Sequence, residues 1–103
     1  MHGAGLFSNA GALLTNCGYG VLSSSRAAMG EFVVTFNYLP TGASADRFIV
    51  FPAVYGAAAT DGFTINFARG LDGSNRAQVT VYIYDNNGGA KADAPFSLAI
   101  LGL

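Results

Sequence analysis

Apolar and polar residues alternate with a period of two along several short stretches of the chain. The clearest is "EFVVTFNY", Glu31 to Tyr38. Phe32, Val34, Phe36 and Tyr38 fall on one side of it, and Val33, Thr35 and Asn37 on the other. Such alternation predicts a β-strand with one face in a core. Pro40 closes this strand and "TGASAD" follows as a loop. "AQVTVYIYD" repeats the pattern, with Val79, Val81 and Ile83 inward and Thr80, Tyr82 and Tyr84 outward. "GFTINFA" places Phe63, Ile65 and Phe67 inward. "RFIVFPAVYG" carries a continuous apolar run, Phe48 to Phe51, as in a strand covered on both faces. Pro52 has no N–H to give a ladder, so it marks an edge strand or a bulge.

Turn signals separate the remaining runs. "AGLFS" stops at Asn9-Ala10-Gly11, "ALLT" runs from Ala12 to Thr15 and ends at Asn16-Cys17-Gly18, and "YGVLSSS" covers Tyr19 to Ser25. "SRAAM" has the character of one helical turn ended by Gly30. "LDGSNR" and "NNGGAKADAP" are turn-rich, and "FSLAILGL" closes the chain. Seven or eight short strands at this spacing, with little helical periodicity, predict an all-β fold. The expected architecture is an antiparallel β-sandwich or jelly roll, a single domain over residues 1–103.

Composition adds a constraint on the surface. Apolar and aromatic residues make up 51% of the chain, which excludes a disordered tail, and only 11% of residues are charged. So few charges suggest that part of the surface meets another protein instead of water. The net charge is −1 and the basic residues Arg26, Arg47, Arg69, Arg76 and Lys91 are dispersed, so no nucleic-acid partner is expected. No apolar run approaches the roughly 18 residues of a membrane span, and no membrane partner is expected. "MHGAGLFSNAG" lacks the charged and apolar regions of a signal peptide. Cys17 is the single cysteine, so no intrachain disulfide forms and cytoplasmic synthesis is expected.

Candidate chemistry is sparse. His2 is the single histidine and lies at the N-terminus, where chains are usually loose. Cys17, between Asn16 and Gly18, has no basic neighbour to lower its pKa and reads as a small buried residue. Asp61, Asp72, Asp85 and Asp93 fall in or beside turns, and "DG" and "DNNGG" are what hairpin turns demand. The Asp85–Asp93 loop fails the EF-hand pattern, because the twelfth position holds Phe96. A looser ion site from Asp85, Asn87 and Asp93 is the residual alternative. No catalytic residue, cofactor or metal is expected. The outward Tyr82 and Tyr84 either stack on sugar rings or lie under another subunit, and cover by a subunit is the preferred reading.

The stretch "GLFSNAGALLTNCGYGVLSSSRAAMGEFVVTFNYLPTGASADRFIVFPAVYG" resembles a β-sandwich domain of tailed-bacteriophage virion proteins. That domain occurs in capsid decoration (cement) proteins and in the C-terminal domains of tail fibres and tailspikes. Phe7, Asn9 and Gly11 match its opening element loosely. Val21 to Arg26 match the second, with Ser24 at a position usually apolar; Gly30, Phe32, Val34 and Phe36 match the third, and Phe48 and Val50 the fourth. "VTVYIYDNNGGAKADAPFSLAILG" is similar to the closing strands, where an aspartate precedes the last one. These motifs specify strands and turns and no catalytic residue.

The resemblance implies a virion structural protein without enzymatic activity, made in the host cytoplasm and often trimeric. Taken as a whole protein, a chain of this length fits a decoration protein bound to the major capsid protein. The alternative is a fibre or tailspike tip that binds a host-surface glycan. Interface residues are expected among Tyr55, Tyr82, Tyr84, Ala99, Leu101 and Leu103, with the Ala53–Thr60 loop as a further contact.

Overall fold

The computed structural model describes residues 1–55 and 62–103. Its strands are β1 (Gly3–Phe7), β2 (Leu13–Tyr19), β3 (Val21–Ala28), β4 (Glu31–Phe36), β5 (Phe48–Val54), β6 (Phe63–Leu71), β7 (Ala77–Asp85) and β8 (Phe96–Gly102). They form two four-stranded sheets, ordered β2-β1-β8-β5 and β3-β4-β7-β6. Every pairing within them is antiparallel. The fold is an all-β sandwich, as the alternation predicts. Hairpins join β1 to β2, β3 to β4 and β6 to β7, and the other connections pass from one sheet to the other.

The inward residues of the two sheets make one core. Phe7, Phe48, Val50, Phe96, Leu98 and Ile100 meet Phe32, Val34, Phe36, Val79, Val81 and Ile83. Phe96 stacks on Phe7 with ring centroids 4.9 Å apart and leans on Phe32 at 5.0 Å. These rings bridge the sheets at distances where aromatic pairs add to burial alone. Phe32, Val34 and Phe36 are all fully buried, so the register read from "EFVVTFNY" is the register of the fold. Tyr38, past the end of β4, still packs against the core.

Several local expectations differ from the structure. The Asn16-Cys17-Gly18 signal lies inside β2, where Asn16 takes a φ of 60°. Between the pairs Gly5↔Gly18 and Phe7↔Leu13 the β2 side carries extra residues, so the chain bulges instead of turning. Asparagine tolerates left-handed backbone in either setting, which is why composition alone did not separate them. "SRAAM" is not a helical turn. β3 continues through it, because the ladder pairs Arg26↔Phe32 and Ala28↔Glu31 engage its backbone and override a weak helical preference. Pro52 does lie on an edge strand, β5, and Phe67 faces inward opposite Val81 but stays 39% exposed on the edge strand β6.

The N-terminus is tied down, contrary to expectation. His2 donates its backbone N–H to the Ile100 carbonyl at 2.9 Å, and its ring Nδ1 accepts the Gly102 N–H at 2.8 Å. The imidazole also rests against Tyr38, with centroids 4.3 Å apart. β1 pairs with β8 from Gly3 onward, so the first residues are anchored by the last strand.

The β6–β7 hairpin does use its aspartate as a turn cap. Asp72 Oδ1 accepts the N–H groups of Arg76 at 2.8 Å and Ser74 at 2.9 Å. The Arg76 N–H, helped by the Ser74 N–H and the Arg76 charge, holds the Asp72 carboxyl below its ordinary 3.8. A carboxyl depressed in the folded state stabilises the protein above its unfolded pKa, and that contribution is lost as pH falls through the folded value. Asp72→Asn keeps an acceptor oxygen and removes the charge. It is expected to be less stable than wild type at neutral pH, with the gap closing below about pH 4. Denaturant melts at neutral pH and in acid check this, and a gap of constant size would assign the effect to geometry alone.

Candidate functional site

Strand alternation sends every second residue of each sheet away from the core, so the sandwich has two outer faces. On the first sheet the register places Tyr19, Ala4, Ala99 and Phe51 in one row across β2, β1, β8 and β5. Leu6, Ser97 and Ala53 make the next row on one side, and Leu101 and Ile49 the next on the other. None of the four strands of this sheet contains Asp, Glu, Lys or Arg. Its large side chains nevertheless reach into water: Tyr19 is 54% exposed, Phe51 48%, Ile49 39% and Leu6 37%. The apolar run in β5 is therefore covered on one side only within the protomer.

The same face is not flat. Ala4, Ser97 and Ala99 are small and form the floor of a shallow hollow of about 230 Å³. Leu6 and Cys17 border it on one side and Phe51 on the other. Tyr55, just beyond β5, continues the pairing through its N–H to the Pro95 carbonyl, and its hydroxyl donates to the Phe7 carbonyl at 3.0 Å. Burial pushes the Tyr55 phenol above its ordinary 10.0, and the Cys17 thiol group, when ionised, adds to the shift.

The outer face of the second sheet has another chemistry. Ser23 and Ser25 of β3 lie beside Thr35 and Val33 of β4, followed by Gln78, Thr80, Tyr82 and Tyr84 of β7 and then Thr64 and Asn66 of β6. Gln78 Nε2 donates to Thr35 Oγ1 at 3.0 Å. Lys91 Nζ lies 3.2 Å from Glu31 Oε1 and 5.5 Å from the centre of the Tyr82 ring, so one face of that ring is capped by a cation. Hydroxyl and amide side chains line this face.

Arg26, Gly30 and Asp93, positions on which the sequence resemblance partly rests, converge at one point. Asp93 Oδ2 accepts from Arg26 Nε at 2.9 Å, and Oδ1 accepts the Gly30 N–H at 2.8 Å. Gly30 has a φ of 68°, and a Cβ there would sit 2.7 Å from the Ile83 carbonyl oxygen. Only glycine fits that approach. Asp93 is thus a long-range tether between the β3–β4 hairpin and the segment before β8, and not a local turn cap. Its carboxylate is occupied by Arg26 and Gly30, while Asp85 accepts the Asn87 N–H at 2.8 Å. Asp61 lies outside the described residues. Among the described residues no three His, Cys, Asp or Glu side chains gather as a metal site.

Magnitudes decide which half of the Asp93 tether matters. A half-exposed ion pair such as Arg26–Asp93 is worth about 0–1 kcal/mol. An orphaned backbone donor costs about 1–3 kcal/mol when buried. Asp93→Ala is therefore expected to lose about 1–3 kcal/mol in a urea titration. Asp93→Asn, which still accepts from Gly30, is expected to lose clearly less. Equal losses would mean that the Arg26 pairing dominates.

No protein-family model matches the chain, and neither the curated proteins nor the solved structures contain a match to it. The candidate site therefore rests on its own geometry.

The residues expected at an interface separate in space. Ala99 and Leu101 lie on the uncharged face and Tyr55 at its end. Leu103 is exposed past β8, its N–H held by the Arg47 carbonyl at 2.9 Å. Tyr82 and Tyr84 lie on the opposite face, with the hydroxyl groups. Of the Ala53–Thr60 segment, Ala53 and Val54 belong to β5, and residues 56–60 lie outside the described residues. Sequence reasoning missed Leu6, Tyr19, Ile49 and Phe51. The odd members of the Phe48–Phe51 run carried a signal, but Leu6 and Tyr19 join the face only through pairing with β8 and β1.

Proposed function

We propose that the chain is a structural protein of a bacteriophage particle, a capsid decoration protein that associates as a homotrimer and stabilises the head shell. The observation that carries this reading is the contrast between the two outer faces. One sheet carries Arg26, Glu31, Arg69 and Asp85 in its strands and a hydroxyl-lined outer face, and the other has no charged residue in any strand and exposes Tyr19, Phe51, Ile49 and Leu6 together on one face. Phe51 and Tyr19 alone leave roughly 200 Å² of aromatic residue in water. Covering that area gains about 5 kcal/mol per copy before the costs of association.

The virion setting comes from the sequence resemblance, as does the threefold symmetry, since an apolar face by itself allows any cyclic order. In this reading the partners are further copies of the chain and the major capsid protein, and the role needs no reaction, cofactor or metal. A second reading, a tail-fibre or tailspike tip that binds host glycan, draws on Tyr82 and Tyr84 facing outward among hydroxyls. Lys91 weakens it at Tyr82, where it occupies one of the two ring faces that a sugar would stack on.

Light scattering of the free protein and imaging of the intact particle test the proposal together. A trimer in solution with density on the head shell is the expected result. A monomer located only on tail fibres would replace it with the second reading.

A further inference from the structure

We infer that copies of this chain join by a knob and a hollow on the uncharged face: Phe51 of one copy seats over Ala4, Ser97 and Ala99 of the next. The inference rests on the self-association proposed above and adds the surface and the contact that perform it. Phe51 stands 48% exposed at the edge strand β5, and the hollow of about 230 Å³ lies beside it over β1 and β8. That volume holds one large side chain. The floor offers two alanine methyls and the Ser97 hydroxyl, and the rim offers Leu6 and Cys17. A charged guest would be left unpaired there, so the guest is apolar.

A second copy supplies such a guest with nothing else to desolvate. Its own face carries no charged residue in any strand, so neither side brings an ion into the contact. The size is also suitable. Four strands of about seven residues give a face of roughly 450 Å² in projection. Side-chain relief adds to this projected area, against the roughly 800 Å² per partner of a standard interface.

The test compares wild type, Phe51→Ala, which removes the knob and with it one wall of the hollow, and Ala99→Phe, which fills the hollow. Both substitutions point away from the core. Sedimentation is expected to show an assembled wild type, and each variant is expected to weaken assembly by at least about tenfold in dissociation constant. A measurement on wild type alone guards against misfolded variants. In a mixture of isotope-labelled and unlabelled copies, nuclear Overhauser effects are expected between the Phe51 ring of one copy and the Ala4 and Ala99 methyls of another. Assembly unaffected by both variants, or an assembled wild type without those effects, overturns this contact and leaves self-association standing. A wild type that stays monomeric at high micromolar concentration overturns both.

Discussion

Phe96→Ala is expected to remove ~3–5 kcal/mol of folding stability, the usual result of deleting a buried aromatic ring. Phe96 is fully buried, stacks on Phe7 at 4.9 Å and leans on Phe32 at 5.0 Å, so its loss opens a space between the two sheets. The backbone around it is held in register by β1 on one side and β5 on the other, which limits collapse into that space. A domain of this size has about 5–15 kcal/mol in total, so the variant is expected to sit near its unfolding threshold. Guanidinium titration at a fixed slope checks it. A loss below about 1 kcal/mol would mean that the three rings do not form the joint between the sheets.

Leu101→Asp is expected to abolish self-association while leaving the sandwich folded. Leu101 points outward beside Ile49 on the uncharged face and is only partly buried in the protomer, so a carboxylate there stays hydrated in the monomer. In an assembly it would enter an apolar contact without a partner, at a cost of several kcal/mol. A penalty of about 3 kcal/mol already lowers affinity by more than a hundredfold. Thr80→Asp, on the opposite hydroxyl-lined face, is the matched control and is expected to assemble as wild type. Light scattering reads both. Equal behaviour of the two variants would remove the uncharged face from the interface.

The residues explain why the strands were legible and the site only partly so. Alternation in "EFVVTFNY" and "AQVTVYIYD" is a local property, because successive side chains of a strand point to opposite faces whatever the partner. It therefore specified β4, β7 and their buried positions, and Pro52, lacking a donor, announced an edge strand or a bulge. Turn chemistry was ambiguous where one residue type serves two geometries. Asn16 bulges a strand where Asp72 closes a hairpin, and which one occurs depends on the neighbouring strand.

Tertiary pairing decided the rest. Asp93 stands 67 positions from Arg26 and 63 from Gly30, and meets them only because the β3–β4 hairpin packs against the segment before β8. Likewise the order β2-β1-β8-β5 gathers Tyr19, Ala4, Ala99 and Phe51 into one row, although no window of sequence contains them all. By itself the sequence determined that the chain is a β-sandwich poor in charge. Which sheet is free of charge, and which outward residues share its face, follows from strand order, because a face is made by lateral neighbours that long-range hydrogen bonding alone selects.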